Sequence, residues 1–210
     1  MILFAVVILV CFVFGDLMHR RGASAEVSRK SVHISTCLAI AVFPLFDMDH
    51  RGLLLVGAGS FIALALLRGT VLLRSIMSVE RTSYGDLLLP LSVVAVAAIG
   101  FPHPVILGAY LVLGISDTLA RLLGRAYGRR RYTTFGHAKS YVGSTAFLLS
   151  AWAILTSTAL FAGLSPVAAL LLGLAVGAVL TLVEACSHKG VDNLFVPLIA
   201  AVLLQHWLPG

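Results

Sequence analysis

Eight stretches of this chain are each apolar over about the length a bilayer requires, and that recurrence limits the fold more than any single motif does. A spanning helix needs roughly 20 mainly apolar residues, because the hydrocarbon core is about 30 Å thick and each helical residue rises about 1.5 Å. The stretches lie at residues 1–17, 31–47, 52–67, 85–100, 103–122, 141–161, 165–185 and 193–208. They are rich in Leu, Ala and Val and lack period-2 alternation, and lipid leaves no unpaired backbone group solvated, so helices are expected rather than barrel strands. The expected fold is therefore all-α: a polytopic membrane helix bundle of about eight transmembrane helices, with seven the other count the pattern allows, forming one membrane domain over residues 1–210. The second stretch is short and interrupted at Pro44, and residues 69–79, carrying Arg74, either extend the third helix or lie flat at the interface. Phe101, Pro102, His103 and Pro104 read as a tight helical hairpin between the fourth and fifth stretches. With 60% hydrophobic residues and only 11% charged, against roughly 25% charged in soluble domains, the chain cannot cover itself with a water-facing surface.

Charge placement tests the same layout independently. Arg20, Arg21, Arg29 and Lys30 lie in or beside the first connection, Arg68, Arg74 and Arg81 in the third, Arg121, Arg125, Arg129, Arg130, Arg131 and Lys139 in the fifth, and Lys189 in the seventh. Only Arg51 lies on the other side, so 14 of the 15 basic residues share one face. The positive-inside rule makes that face cytoplasmic and sends both termini to the opposite side. The net charge of +6 is what this topology requires, and nothing remains for nucleic-acid binding to explain. The first stretch has no basic residue before it and an Arg pair after it, so it reads as a retained helix and not as a cleaved signal. Cys11, Cys37 and Cys186 lack metal-type spacing and read as small packing residues.

The acidic residues carry more information. Asp117 sits inside a helical run, where a carboxylate costs about 2.5–3.5 kcal/mol on insertion scales. An ion pair with Arg121, one turn on, would neutralise it without any chemistry. Glu184 sits near the end of the seventh stretch with His188 one turn below, and Asp192 with Asn193 precedes the last stretch, where an ordinary N-cap is the plain reading. Together these carboxylates fall at the same face as nearly all the Arg and Lys. A nucleoside polyphosphate suits that collocation, since its phosphates need cations and the Mg²⁺ bridging them needs oxygen ligands. Gly85, Gly124, Gly128, Gly136 and Gly143 either admit backbone close to phosphates or serve tight helix packing. Gly136 to Ser140 ends like a P-loop but lacks its glycine spacing, and no strand is expected before it.

Four motifs run in order along the chain. Glu26, Arg29, Lys30 and His33 form E-x-x-R-K-x-x-H; Asp117 to Gly128 reads D-x-x-A-x-x-x-G-x-x-x-G; Lys139, Ser140, Gly143 and Ser144 give K-S-x-x-G-S; and Glu184, Asp192, Asn193 and Pro197 give V-E…D-N-x-x-V-P. In this the chain resembles the dolichol kinase and phytol kinase family, which includes CTP-dependent diacylglycerol kinases. The resemblance implies a multi-pass lipid kinase transferring phosphate from a nucleoside triphosphate, characteristically CTP, to a membrane lipid hydroxyl. Tyr141 stands where many relatives carry Trp, Asp86 where others often differ, and the extra N-terminal helices of larger dolichol kinases are lacking. An isoprenoid alcohol is the favoured substrate, then diacylglycerol.

On this resemblance Arg29, Lys30, Lys139 and Ser140, with Gly124, Gly128 and Gly143, would hold the nucleotide. Asp117, Glu184, Asp192 and Asn193 would hold Mg²⁺. The base taking the lipid's proton would be His33 or one of the carboxylates Asp117 and Glu184, and His33 reads equally as an ordinary helix histidine. Two rival functions share these features: a lipid cytidylyltransferase attacking the α-phosphorus, and a small transporter with charges lining a pathway. The transporter reading predicts charges spread through the membrane depth or an internal repeat, and the sequence displays neither.

Overall fold

The computed structural model describes residues 2–67 and 83–208, so residues 69–79 lie outside the described part. Among the described residues eight helices form in the expected order. We number them α1 (Ile2–Arg20), α2 (Ala25–Ala41), α3 (His50–Leu67), α4 (Gly85–Ile99), α5 (His103–Tyr127), α6 (Tyr141–Phe161), α7 (Pro166–Cys186) and α8 (Asp192–Leu204). Helices α1, α3, α5, α6 and α7 are long and apolar enough to cross a membrane, and the chain is an integral membrane protein. The other three are shorter, and two of them, α4 and α8, begin at a polar centre inside the bundle instead of at the lipid surface.

Local chemistry sets the helix ends. Ser24 caps α2 by accepting from the Val27 amide, with Glu26 in the first turn against the helix dipole. The helix stops at Ala41 and not at residue 47, because Pro44 cannot continue it and Phe43–Phe46 tightens into a 3-10 turn. Ser140 and Ser165 cap α6 and α7 in the same manner. A sharp turn joins α4 to α5, its corner made by Gly100 in the left-handed region, but the two do not pack as the expected tight hairpin: α4 lies against α3 and α8 instead.

Helix α5 is the axis of the bundle. Most of α5 is buried, whereas α1 and α3 are largely exposed apolar surface, so α5 carries the core while those two are peripheral and lipid-facing. Val105, Ile106, Ala109, Tyr110 and Leu113 are fully enclosed, and the Tyr110 hydroxyl pairs with Ser92 Oγ at 3.0 Å, which removes the cost of burying both. Over Val112–Ser116 the helix widens into a π segment. Gly114, within it, lies so close to Cys37 that a Cβ would stand 2.7 Å from the Cys37 Cβ, which lets α2 and α5 cross tightly.

One element departs from the all-helical expectation. Strands β1 (Arg131–Thr134) and β2 (His137–Ser140) form an antiparallel hairpin turned by Phe135 and Gly136, both at positive φ as a two-residue turn requires. A strand therefore does precede Gly136, contrary to the sequence reading, but a second strand follows it where a P-loop would start a helix. Thr134 Oγ1 donates to the Ala185 carbonyl at 2.6 Å and His137 stacks on His188, fastening the hairpin to the end of α7.

Candidate active site

The polar ends of α2, α4, α5 and α8 meet at one end of a cavity. Asp117 is its centre and is buried. Its carboxylate accepts from Lys30 Nζ, itself buried, and lies 3.5 Å from His33 Nε2. Arg121 is not the partner of Asp117. Its guanidinium reaches instead to Glu26 at 3.7 Å, where Arg125 also pairs. The choice is geometric: Asp117 faces α2 across the tight Gly114 crossing, whereas Arg121 lies one turn nearer the water.

The π segment serves the same cluster. Widened turns release carbonyls from the regular ladder and recur at functional sites. Here the Leu113 carbonyl accepts from His33 Nε2 at 3.3 Å. With Nε2–H committed to that carbonyl, Nδ1 is the nitrogen of the neutral ring that can take a proton.

Asp192 and Asn193 open α8 without acting as caps. The capping position is Val191, no side chain caps the helix, and Asn193 Nδ2 donates to the Gly85 carbonyl at 2.8 Å. Asp192 is buried, and among the described residues its Oδ1 has no hydrogen-bond partner. An orphaned carboxylate oxygen beside Asp117 is a costly arrangement unless something cationic or donating joins it. Among the described residues no three His, Cys, Asp or Glu side chains are gathered as a ready metal cage. Asp117, Asp192 and the Asn193 carbonyl fit Mg²⁺ nonetheless, since that ion takes one or two carboxylates and completes its shell with phosphate and water oxygens.

The chain is 32% identical over 195 residues to a phytol kinase of Synechocystis sp., a match covering 90% of this chain and 82% of the relative. The chain belongs to the phytol and dolichol kinase family. It is a kinase with an alcohol group as acceptor. No family model matches it, and no solved structure does.

Several residues that the motifs single out lie elsewhere in this kinase. Lys139 and Glu184 do not line the cavity. Lys139 Nζ is 2.5 Å from Glu184 Oε1 and 2.9 Å from its carbonyl, so the pair ties β2 to α7. Gly124, Gly128, Gly143 and Ser140 form the contact between α5 and α6: a Cβ on Gly143 would stand 2.8 Å from the Ala120 carbonyl, and one on Gly124 2.7 Å from Ser140 Oγ. These residues set the angle at which α5 delivers Asp117. Conversely, Asp86, Gly190 and Arg121 line the cavity although sequence reasoning assigns them no site role, and Gly85, expected either near phosphates or in helix packing, lines it too. Gly85 and Gly190 touch backbone to backbone, a Cβ on Gly190 falling 2.5 Å from the Gly85 Cα. That contact joins α4 to α8, and only the pairing of two distant glycines signals it.

Proposed function

We propose that this kinase transfers the γ-phosphoryl group of CTP, with Mg²⁺, to the hydroxyl of a membrane isoprenoid alcohol of the polyprenol, dolichol, phytol or geranylgeraniol type, at the cytoplasmic face. One observation carries the reading: a single cavity is cationic and carboxylate-lined at one end and walled by aliphatic and aromatic side chains along the rest. A polyphosphate and a hydrocarbon chain can therefore meet in it, as transfer between a soluble donor and a lipid acceptor demands. The phytol kinase relative supports a prenyl alcohol over diacylglycerol.

Phosphoryl transfer asks chiefly for positioning and charge stabilisation. Arg29, Lys30 and Arg121 bind the triphosphate oxygens, and Lys30 also fixes the Asp117 carboxylate. Asp117, Asp192 and the side-chain carbonyl of Asn193 would hold Mg²⁺, which when bound would supply positive charge to offset that of the triphosphate. The alcohol oxygen forms a bond to the γ-phosphorus as the bond to the β-phosphate oxygen breaks. CDP leaves, and the alcohol proton passes to a base, for which His33, which lines the cavity and keeps Nδ1 outside the Leu113 hydrogen bond, is the candidate.

The test is the position of the label. Purified protein given γ-labelled CTP and a prenyl alcohol should produce a labelled lipid monophosphate and CDP, only with Mg²⁺ present. Label entering the lipid from the α-phosphate, with release of pyrophosphate, would make the protein a cytidylyltransferase instead. Sidedness has its own measurement. Because 14 of 15 basic residues share one face, residues 124–138 should react with impermeant thiol reagents from the cytoplasm after cysteine substitution, and residues 206–210 from the other side. Labelling of both regions from one side would exclude three spans between them.

A further inference from the structure

The apolar part of the cavity has a direction and a floor. On α2 its lining runs from Arg29 and Lys30 through His33 and Thr36 to Ile40. The eleven steps from Arg29 to Ile40, at about 1.5 Å each, make the whole cavity roughly 16 Å deep including its charged end, close to one leaflet of the roughly 30 Å hydrocarbon core. On α1, which runs antiparallel to α2, the lining descends one turn at a time through Phe12, Ile8 and Phe4. On α3 the lining is Val56, Gly57, Ser60 and Leu64, and Gly57 also lets α4 pack closely, since a Cβ there would stand 3.0 Å from Val93 Cγ1. The main helix contacts in this region are α1 with α2 and α3 with α4, and among the described residues nothing comparable joins α1 to α3. The groove thus lies between two helix pairs at the periphery of the bundle, next to lipid.

Phe4 ends it. Its neighbours Ile2 and Leu3 are 79% and 62% exposed, as lipid-facing residues of a peripheral helix should be, whereas Phe4 is 1% exposed. Its ring is held edge-on against Phe46 at 5.3 Å between centroids, so the 3-10 turn after α2 fixes the floor in place. We infer that Phe4 is a specificity-determining residue that closes the far end of the groove and sets the length of the alcohol's hydrocarbon chain. The inference rests on the kinase reading above. A prenyl chain that reaches from the polar cluster to Phe4 fills the groove. A shorter alcohol leaves the floor uncovered, and a longer one must leave sideways between α1 and α3 and forgo part of the burial.

The experiment is a chain-length series. kcat/KM is measured with CTP for farnesol, geranylgeraniol and a longer polyprenol in the wild-type protein and in two variants. Wild type should discriminate among the three chain lengths. Phe4→Ala should raise the ratio of polyprenol to geranylgeraniol at least about tenfold, the discrimination expected when an apolar pocket gains or loses part of its wall. Ile8→Trp, one turn nearer the polar cluster, should shift preference towards farnesol. A purely structural role for Phe4 would lower all three values by one factor, and such a uniform loss overturns the inference, as does an unchanged profile in folded variants. Should Phe4→Ala not fold, Phe4→Leu keeps the contact with Phe46 while shortening the side chain, and must move the ratio in the same direction. If wild-type protein phosphorylates no prenyl alcohol, the kinase reading fails first. If it phosphorylates all lengths equally, only the inference about Phe4 fails.

Discussion

Asp117→Asn should lower turnover at least about a hundredfold, the loss expected when an interaction concentrated in the transition state is removed. Asn keeps the size and one carbonyl oxygen of Asp but removes the charge that a divalent cation and Lys30 both require. The substitution also leaves Lys30 buried without its counter-charge, which by itself costs about 3–5 kcal/mol when one member of a buried pair is lost. Stability and activity must therefore be separated. Adding Lys30→Met removes the stranded cation, so the double variant should regain thermal stability and expression while remaining inactive. Asp16→Asn is the control, since Asp16 pairs with Arg20 on α1, away from the cavity. Recovery of near-normal turnover by the double variant would reduce the Asp117–Lys30 pair to a structural bridge and remove Asp117 from the metal site.

Gly128→Ala should produce the largest effect on folding of any single methyl addition near the site. The new Cβ would lie 2.1 Å from the Gly124 carbonyl oxygen and 2.6 Å from the Ser140 Cβ, so backbone, and not a flexible side-chain end, has to move. Overpacking of this kind costs about 1–3 kcal/mol, and a clash with main chain belongs at the upper end. The expected signs are a lower unfolding temperature and reduced yield of purified protein, with the KM for CTP in the folded fraction close to wild type, because Gly128 supports the α5–α6 contact and does not line the cavity. A raised KM without loss of stability would return this glycine to the nucleotide site that the family resemblance implies for it.

The contrast between these residues explains how much was legible in advance. Asp117 stood out because a carboxylate within an apolar run is expensive whatever surrounds it. Asp192 and Asn193 were visible through their motif, although the plain alternative of a helix cap had to be set aside by geometry. Arg121 was misplaced by reasoning along one helix: at four residues' distance it is the natural partner of Asp117, but Lys30, 87 positions away, occupies that carboxylate. The same limit hid the hairpin. Its strands are four residues each and the turn is Phe-Gly, so neither hydrophobic alternation nor an Asn-Gly signature marked it.

What the sequence by itself determined was the membrane character and the order of the eight helices among the described residues, because both follow from the cost of exposing polar groups to lipid and are counted residue by residue. The tertiary structure alone decided which charges meet. Side chains from α2, α4, α5 and α8 converge only because Gly114 admits Cys37, Gly85 admits Gly190 and a π segment redirects a carbonyl to His33. Such close approaches depend on the relative rotation of packed helices, a quantity that apolar periodicity fixes loosely when a helix is hydrophobic on nearly every side.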